Sequence, residues 1–281
     1  MAANLSQRFT RRLVLNLPQP VSNRLAQLGS TSTLQLLHGL DQILEDDIYV
    51  ASYPRSGNTW TRFILAYLIR GTNNSLDGRS IDARVPDVYH SVNRINQQTS
   101  QRLIKIHEPV LDACPRVIYV HRDYREALVS YWHFMRRTKS FAGTFSEFVR
   151  SPATKRHGSW KQHIQAMNRR LQRDPSTIHV ISYDQLRYQF QQTIERLVAW
   201  SGIGNGVDLQ QLEQRTAMET VASSDQNNAA SPFRLASGTS FFVDRGKGLK
   251  WRSVWSDADL RWLQRDGQLM ELMASLGYNR D

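Results

Sequence analysis

The sequence predicts an α/β protein with a central parallel β-sheet that is flanked by helices. Short apolar runs, which are typical of buried strands, alternate along the chain with longer segments of helical periodicity. Strands that are apolar on both faces favour a parallel sheet covered on both sides, and such sheets bind ligands beyond the carboxyl ends of their strands. The predicted strands are 48–51, 102–106, 116–120 and 178–181, and the predicted helices are 60–70, 125–137, 158–173 and 184–201.

The two ends of the chain lie outside this alternation. Residues 1–46 are expected to form an N-terminal extension that packs on a single domain of residues 47–281, and a helix is predicted at about 34–44. A last amphipathic helix is predicted over 256–275, with Ser256 as its N-cap. A chain of 281 residues is long enough to bury a full core in one such domain.

The composition indicates a protein that binds an anion. There are 36 Lys and Arg against 25 Asp and Glu, a net charge of +11, while the hydrophobic and charged fractions are ordinary. Cys114 is the only cysteine, which excludes an internal disulfide and suits a reducing compartment. No apolar run approaches the length of a membrane span, and the N-terminus falls short of a signal-peptide core. We therefore expect a cytoplasmic protein.

The first predicted strand is followed by a loop that is suited to hold an anion. The segment Ile48–Phe63 reads IYVASYPRSGNTWTRF, in which an apolar strand leads through small polar residues into a helix. Backbone N–H groups and the dipole at the start of a helix attract negative charge. The segment is not a Walker A loop, because the G-x-x-x-x-G-K-[ST] spacing is absent and the cation, Arg55, precedes Gly57.

Two later segments place further polar groups at strand ends. Lys105 and His107 lie two residues apart and point to the same face, where a base beside a cation could deprotonate an acceptor. Arg122 ends the next strand and Ser130 follows about two helical turns later, so the pair could converge on one phosphate. A satisfied surface histidine and a solvated helix start explain the same residues equally well. From the residues alone, these alternatives stay open.

Taken together, the motifs resemble a known family. The stretches SYPRSGNTW, KIHEP, RDYREALVSYWHF, GSWKQH, SYDQL and an RGK loop occur in this order and at the spacings of the PAPS-dependent sulfotransferases of the cytosolic type, especially their bacterial members. PAPS, 3′-phosphoadenosine 5′-phosphosulfate, is the sulfuryl donor of that family. The resemblance runs from about residue 48 to residue 278, and it implies the P-loop-like nucleotide-binding fold of these enzymes.

The resemblance also implies which residues bind the donor. The loop 55–59 would wrap the 5′-phosphosulfate, Trp60 would stack on the adenine, and Arg122 with Ser130 would hold the 3′-phosphate. Arg55 stands where the family usually has lysine, which bacterial members often replace with arginine. The donor-binding residues implied in this way are Arg55, Ser56, Gly57, Asn58, Thr59, Trp60, Arg122, Ser130, Tyr183, Thr216, Met218, Arg245, Gly246 and Lys247.

The catalytic residues follow from the same resemblance. His107 would be the general base for an acceptor hydroxyl or amine, while Arg55 and Lys105 would stabilise the departing 3′,5′-bisphosphate, PAP. No cluster of metal ligands is recognisable among the eight histidines and the one cysteine, and we expect no metal. His163 is expected to line the acceptor pocket. The regions expected to frame that pocket are 71–101, 136–157 and 222–243.

Two other classes of protein compete with this interpretation. A kinase-like nucleotide-binding protein is disfavoured by the missing GK[ST] and by the lack of a clear Mg²⁺-binding aspartate. A non-catalytic basic protein that binds nucleic acid or anionic membranes is disfavoured because the cations are scattered and a polyanionic donor explains the charge. We expect a small-molecule or glycan acceptor and no nucleic-acid partner. The identity of the acceptor and the oligomeric state stay open.

Overall fold

The computed structural model describes residues 31–73, 76, 78–217 and 250–278. Its strands are β1 (Ile48–Ser52), β2 (Leu103–Ile106), β3 (Arg116–His121) and β4 (Ile178–Ser182). They form one parallel sheet in the order β2-β1-β3-β4, so the carboxyl ends of all four strands meet at one edge. The predicted α/β class with a central parallel sheet is confirmed.

Helices cover both faces of this sheet. Among the described residues, none of them is long and apolar enough to cross a membrane. The helices are α1 (Thr31–His38), α2 (Asn58–Arg70), α3 (Gly78–Arg84), α4 (Val92–Asn96), α5 (Tyr124–Arg137), α6 (Phe145–Arg150), α7 (Trp160–Arg173), α8 (Tyr183–Tyr188), α9 (Phe190–Ser201), α10 (Leu209–Thr216), α11 (Asp257–Gln264) and α12 (Gly267–Ser275). Short 3₁₀ turns lie at Leu111–Ala113, Pro152–Lys155, Pro175–Thr177 and Lys250–Ser253.

Two helices that the sequence predicts as continuous are each divided in two. The segment predicted as 184–201 breaks at Gln189, whose backbone leaves the helical region with φ −138° and ψ 42°. The C-terminal segment breaks at Asp266, whose side chain accepts from the N–H of Leu269 and so starts a new helix. Ser256 caps α11 as predicted. Apolar periodicity therefore located these helices but did not reveal the local capping that interrupts them.

The sheet separates two apolar cores, because successive side chains of a strand face opposite sides. Tyr49 and Ala51 of β1 belong to the larger core, which is completed by α1, α5, α6, α7 and the C-terminal helices. Ile48 and Val50 belong to the second core, which is formed with α2, α9 and α10. Each layer of helices therefore fixes one face of the sheet, and the loops at its carboxyl edge are held between two packed layers.

Candidate active site

The loop after β1 is shaped by its backbone and by Asn58. Arg55 and Gly57 have positive φ angles of 67° and 108°, and α2 begins directly after them. The buried amide of Asn58 donates to the carbonyl oxygens of Val50 at 3.0 Å and Ile106 at 3.5 Å, which ties the loop to β1 and β2. The start of a 13-residue helix is thereby held at the carboxyl edge of the sheet, where its dipole attracts an anion.

Gly57 has no room for a side chain. A Cβ placed there would lie 3.0 Å from Cδ2 of Tyr183 and 3.3 Å from Cγ1 of Val120. The loop backbone therefore packs directly against β3 and against the start of α8. Together with its positive φ, this close approach explains why the position needs glycine.

Three residues that were predicted to bind the donor lie together. The indole N–H of Trp60 donates to the carbonyl oxygen of Thr216 at 2.8 Å. The Trp60 ring meets the Tyr183 ring edge to face, with 5.7 Å between centroids, and stacks on the Phe190 ring at 6.5 Å with 29° between the ring planes. The structure therefore brings Trp60, Tyr183 and Thr216 together beside the loop.

Arg122 and Ser130 lie next to this loop. The guanidinium of Arg122 donates to the carbonyl oxygen of Arg55 at 3.3 Å and to Oε2 of Glu126 at 3.1 Å, and its carbon atom lies 4.2 Å from the centre of the Tyr183 ring. Nε of Arg55 donates to Oγ of Ser130 at 3.2 Å. The residues predicted for the two ends of the donor are therefore joined through Arg55. Burial raises the pKa of Glu126, and Arg122 opposes that shift.

The acceptors Oδ1 of Asn58 and Oε1 of Glu126 have no hydrogen-bond partner among the described residues. The same is true of two buried donors of this group, Oγ of Ser56 and Nε of Arg122. Unpaired buried polar atoms are uncommon in folded proteins because leaving them unpaired is costly. Both atoms can donate a hydrogen bond, and both belong to residues predicted to bind phosphate. The group therefore fits a phosphate-bearing ligand.

His107 follows β2, and the orientation of its ring is set by Ser52. Nδ1 of His107 lies 2.9 Å from the carbonyl oxygen of Ser52, which can only accept, so Nδ1 donates and Nε2 is the basic atom of the neutral ring. The backbone N–H of His107 donates to the Tyr89 hydroxyl at 2.9 Å. Burial, and after it the nearby Lys105 and His157, hold the pKa of His107 well below its ordinary value. The ring is therefore neutral at pH 7.

Lys105 is paired inside the protein. Its ammonium lies 2.9 Å from Oδ2 of Asp87 and 4.6 Å from the centre of the Tyr89 ring, on the side of the sheet that carries His107. Burial lowers the pKa of Lys105, and Asp87 offsets part of that shift. Although burial raises the pKa of Asp87, Lys105 and Arg62 lower it to about 2. Lys105 is therefore held in an ion pair, and its positive charge still acts on His107.

A carboxylate with two imidazole neighbours lies beside His107. We call His38, Tyr89, Glu108 and His157 the Glu108 cluster. Oε2 of Glu108 accepts from the Tyr89 hydroxyl at 2.6 Å and lies 3.2 Å from Nε2 of His38, while Oε1 lies 3.3 Å from Nδ1 of His157. Burial favours the protonated acid, but His38 and His157 hold the pKa of Glu108 well below its ordinary value. The cluster thus keeps a buried negative charge next to the predicted base.

His163 lies behind this cluster, away from any open surface. Its exposed fraction is 0%, and the Tyr53 and Tyr119 rings pack against it at 5.6 and 6.3 Å. Nε2 of His163 lies 2.9 Å from the carbonyl oxygen of His157, to which it donates, and burial lowers the pKa of His163 to about 4. The structure therefore places His163 where it supports the backbone of His157.

The remaining predicted residues divide into two groups. Thr59 lies half-buried in the first turn of α2. The predicted donor-binding residues Met218, Arg245, Gly246 and Lys247 lie outside the described residues. Within the described part of the chain, no group of three or more His, Cys, Asp or Glu side chains is placed to hold a metal ion.

The family is decided by comparison with known proteins. Residues 45–276 match the model of the sulfotransferase domain. The chain belongs to the sulfotransferase family. Sulfotransferase 4A1 of Homo sapiens is 29% identical over 60% of this chain and 64% of its own length. Cytosolic sulfotransferase 1 of Danio rerio is 26% identical over 77% of this chain and 80% of its own length. The alignment therefore spans less than two thirds of the human relative.

Solved structures of this family have the same fold. Mouse sulfotransferase SULT7A1, in a complex with PAP, superposes with a TM-score of 0.61 at 18% identity and covers 88% of this chain and 90% of its own. Retinol dehydratase, in a complex with retinol and PAP, superposes with a TM-score of 0.63 at 16% identity over 84% of this chain and 83% of its own. At these identities the likeness concerns the fold, and the predicted P-loop-like sulfotransferase fold is confirmed.

The sequence analysis did not predict that Tyr89, Glu108, Glu126 and His157 hold the predicted site residues in place. Glu108 and Glu126 lie inside the family motifs, and Tyr89 lies in a region expected to frame the acceptor pocket. Their partners come from distant segments, so their contacts leave no local pattern. His157 immediately precedes the GSWKQH motif and is the last residue of the region 136–157 that was expected to frame the acceptor pocket, and its position was the only signal for it.

Proposed function

We propose that the protein transfers a sulfuryl group from PAPS to a hydroxyl or amine of a small-molecule or glycan acceptor, with His107 as the general base. The observation that carries this proposal is the convergence of the loop 55–59, the Arg122–Ser130 pair and the neutral His107 at one edge of the sheet. An anion site beside an oriented base suits the transfer of a charged group to an acceptor that must lose a proton. Membership of the sulfotransferase family supports the same reaction class.

The groups that would hold the donor differ along its length. The helix start and the loop backbone would bind the 5′ end, and Ser56 brings a buried hydroxyl that has no partner among the described residues. Arg122 offers a guanidinium fork, of which Nε is also unpaired within the described part of the chain, to the 3′-phosphate. Trp60 and Tyr183 provide aromatic surface for the adenine. When bound, PAPS supplies the sulfuryl group and leaves as PAP.

The acceptor would meet His107 at Nε2, because Nδ1 already donates to Ser52. A neutral imidazole can take the acceptor proton as the new bond forms. The lowered pKa of His107 keeps the ring neutral well below pH 7, so the base is available across the physiological range. Arg55 and Lys105 would add positive charge on the same edge of the sheet, with Lys105 already paired to Asp87.

Ligand binding tests the donor assignment first. Thermal unfolding should shift upward with PAP, less with 5′-AMP, and not with ATP or a single-stranded oligonucleotide. Ligand at a hundred times its dissociation constant stabilises a folded protein by about 2.7 kcal/mol. A shift with ATP that equals the shift with PAP would favour a kinase-like protein. A shift with the oligonucleotide alone would favour a nucleic-acid binder.

Turnover tests the reaction. PAP release from PAPS should accelerate when an acceptor is added from a panel of 2-naphthol, 1-hexanol, methyl glucoside and 2-phenylethylamine. The panel covers the phenol, alcohol, sugar and amine classes that the chemistry allows. A protein that binds PAP tightly and releases none from PAPS with any member, or with an extended acceptor library, would contradict sulfuryl transfer.

A further inference from the structure

His157 is held next to His107 by contacts on its ring and on its backbone. Nδ1 lies 3.3 Å from the Glu108 carboxylate, and the carbonyl oxygen accepts from His163 at 2.9 Å. The next residue, Gly158, has φ +85°, and a Cβ there would lie 2.9 Å from the ring of Pro109, which follows Glu108. The turn therefore packs tightly on the segment that carries the base. His157 is thus fixed through its ring, its carbonyl oxygen and the next residue, and packing alone does not explain three such constraints.

His107 and His157 each have Nε2 as the basic atom of the neutral ring. A carboxylate oxygen accepts and does not donate, so Nδ1 of His157 donates to Glu108 and Nε2 is its basic atom, as it is in His107. The ring centroids are 5.7 Å apart. Two rings with centroids this close can share one water molecule or one acceptor oxygen, which requires that both Nε2 atoms face the same space.

The surroundings of His107 disfavour a proton on its ring. The Tyr89 ring stacks on it with 6.3 Å between centroids, and burial and the nearby ammonium of Lys105 both lower the pKa of His107. The side chain of His157 is 23% exposed and is paired with a carboxylate. Glu108, which also contacts Tyr89 and His38, keeps its negative charge when burial would otherwise remove it. His157 is therefore the imidazole of the two that contacts a carboxylate, and it reaches solvent.

We propose that His157, oriented by Glu108, is the exit route for the proton that His107 removes from the acceptor. The proposal rests on the proposed function. The O–H or N–H bond of the acceptor breaks and its proton goes to Nε2 of His107. One water then carries the charge to Nε2 of His157, so that His107 returns to its neutral form. The resulting imidazolium is balanced by the Glu108 carboxylate and gives its proton from Nε2 to a base in solvent.

The test is a variant that keeps the hydrogen bond to Glu108 but has no imidazole at position 157 to carry a proton. His157→Gln can still donate to Glu108, but an amide does not titrate. With PAPS and 2-naphthol, this variant should turn over at least about 10-fold more slowly than the wild type, while its affinity for PAP is unchanged. Millimolar imidazole in the buffer should restore part of the lost rate and should leave the wild type unaffected. His179→Gln is the matched control, because His179 lies on β4 against Trp200 at 5.5 Å and should have no effect.

Two results would overturn the proposal. One is turnover of His157→Gln at the wild-type rate, and the other is a slow variant that imidazole does not restore, since His157 would then only shape the pocket. A second measurement needs no turnover: side-chain ¹⁵N shifts of the unliganded protein should show His157 protonated on Nδ1. Protonation on Nε2 would contradict orientation by Glu108. A wild type that forms no PAP with 2-naphthol, with any other member of the panel or with the extended library would instead overturn the proposed function, so the two failures are distinguishable.

Discussion

Gly57→Ala is the sharpest test of how the phosphate loop is built. The substitution adds one methyl group at a residue with φ 108°, which L-residues rarely adopt, and places it 3.0 Å from Tyr183 and 3.3 Å from Val120. A left-handed backbone costs a non-glycine residue about 1–2 kcal/mol. Forcing an extra methyl group into a packed site costs roughly 1–3 kcal/mol more. We therefore expect the free energy of unfolding to fall by about 2–5 kcal/mol.

Gly202→Ala separates these two costs. Gly202 follows α9 and has φ 74° and ψ 5°, the backbone region of Gly57 with its ψ of 2°, and no atom lies within 4 Å of the place that a Cβ would take there. Its substitution should carry only the backbone cost of about 1–2 kcal/mol. Urea unfolding of the two variants, followed by tryptophan fluorescence, gives both free energies on one scale. The difference between them measures the close approach of the loop to Tyr183 and Val120.

The same pair of variants reports on ligand binding. Gly57 belongs to the loop and packs on Tyr183, so Gly57→Ala should weaken PAP binding, measured by titration calorimetry, whereas Gly202→Ala should leave it unchanged. Equal losses of stability in the two variants, together with unchanged PAP affinity, would refute the argument. In that case the loop would have enough freedom to absorb a methyl group, and its contact with Tyr183 would not hold it in place.

Three further predictions concern single side chains. His107→Ala should lower turnover by at least about 100-fold while PAP affinity is retained, and a variant with normal turnover would exclude His107 as the base. Arg122→Ala should weaken PAP binding by about 10–100-fold and 5′-AMP binding much less, because only PAP has the 3′-phosphate; equal losses for both nucleotides would contradict that contact. The third concerns His163, whose pKa is lowered to about 4 by burial, so the folded state binds fewer protons than the unfolded state below about pH 6.5. The contribution of the neutral His163 ring to the free energy of unfolding, about 3 kcal/mol, is present above pH 6.5 and is lost as the pH falls to 4. Urea unfolding of His163→Phe should therefore show a flatter pH dependence than that of the wild type. An unchanged pH dependence in that variant would show that His163 is not held neutral by burial.

The candidate donor side of the site could be located from the sequence because its elements are local. A strand, a loop with Arg55 and Gly57, and a helix start lie within one continuous segment, in which backbone groups would do most of the binding. The sheet order then brings Arg122 next to this loop, since β1 and β3 are neighbours. The family motif around Trp160 also has a visible purpose: its indole N–H donates to the carbonyl oxygen of Arg122 at 2.9 Å.

The surroundings of the base could not be predicted in the same way. The Glu108 cluster draws one residue each from α1, the stretch after α3, the end of β2 and the turn before α7. No sequence spacing relates those four positions, because tertiary packing alone brings them together. The pairing of Lys105 with Asp87 has the same origin, as the two residues are joined by a bridge outside the main sheet. Sequence motifs thus gave candidate residues for the chemistry, and only the fold shows which of them are already paired with another charged side chain.

Arg55 is the residue at which the parts of the donor site are coupled, and its side chain suits that position better than lysine would. Its carbonyl oxygen accepts from Arg122, and its Nε donates to Ser130. A guanidinium can hold Ser130 through Nε while its two terminal nitrogens reach further, whereas a lysine has a single nitrogen for all its contacts. The positive φ of 67° turns the backbone so that both contacts are made at once. A 3′-phosphate bound as proposed would meet Nε of Arg122 and the hydroxyl proton of Ser130 while both residues stay hydrogen-bonded to Arg55, so the phosphate and the loop would share one hydrogen-bonded group.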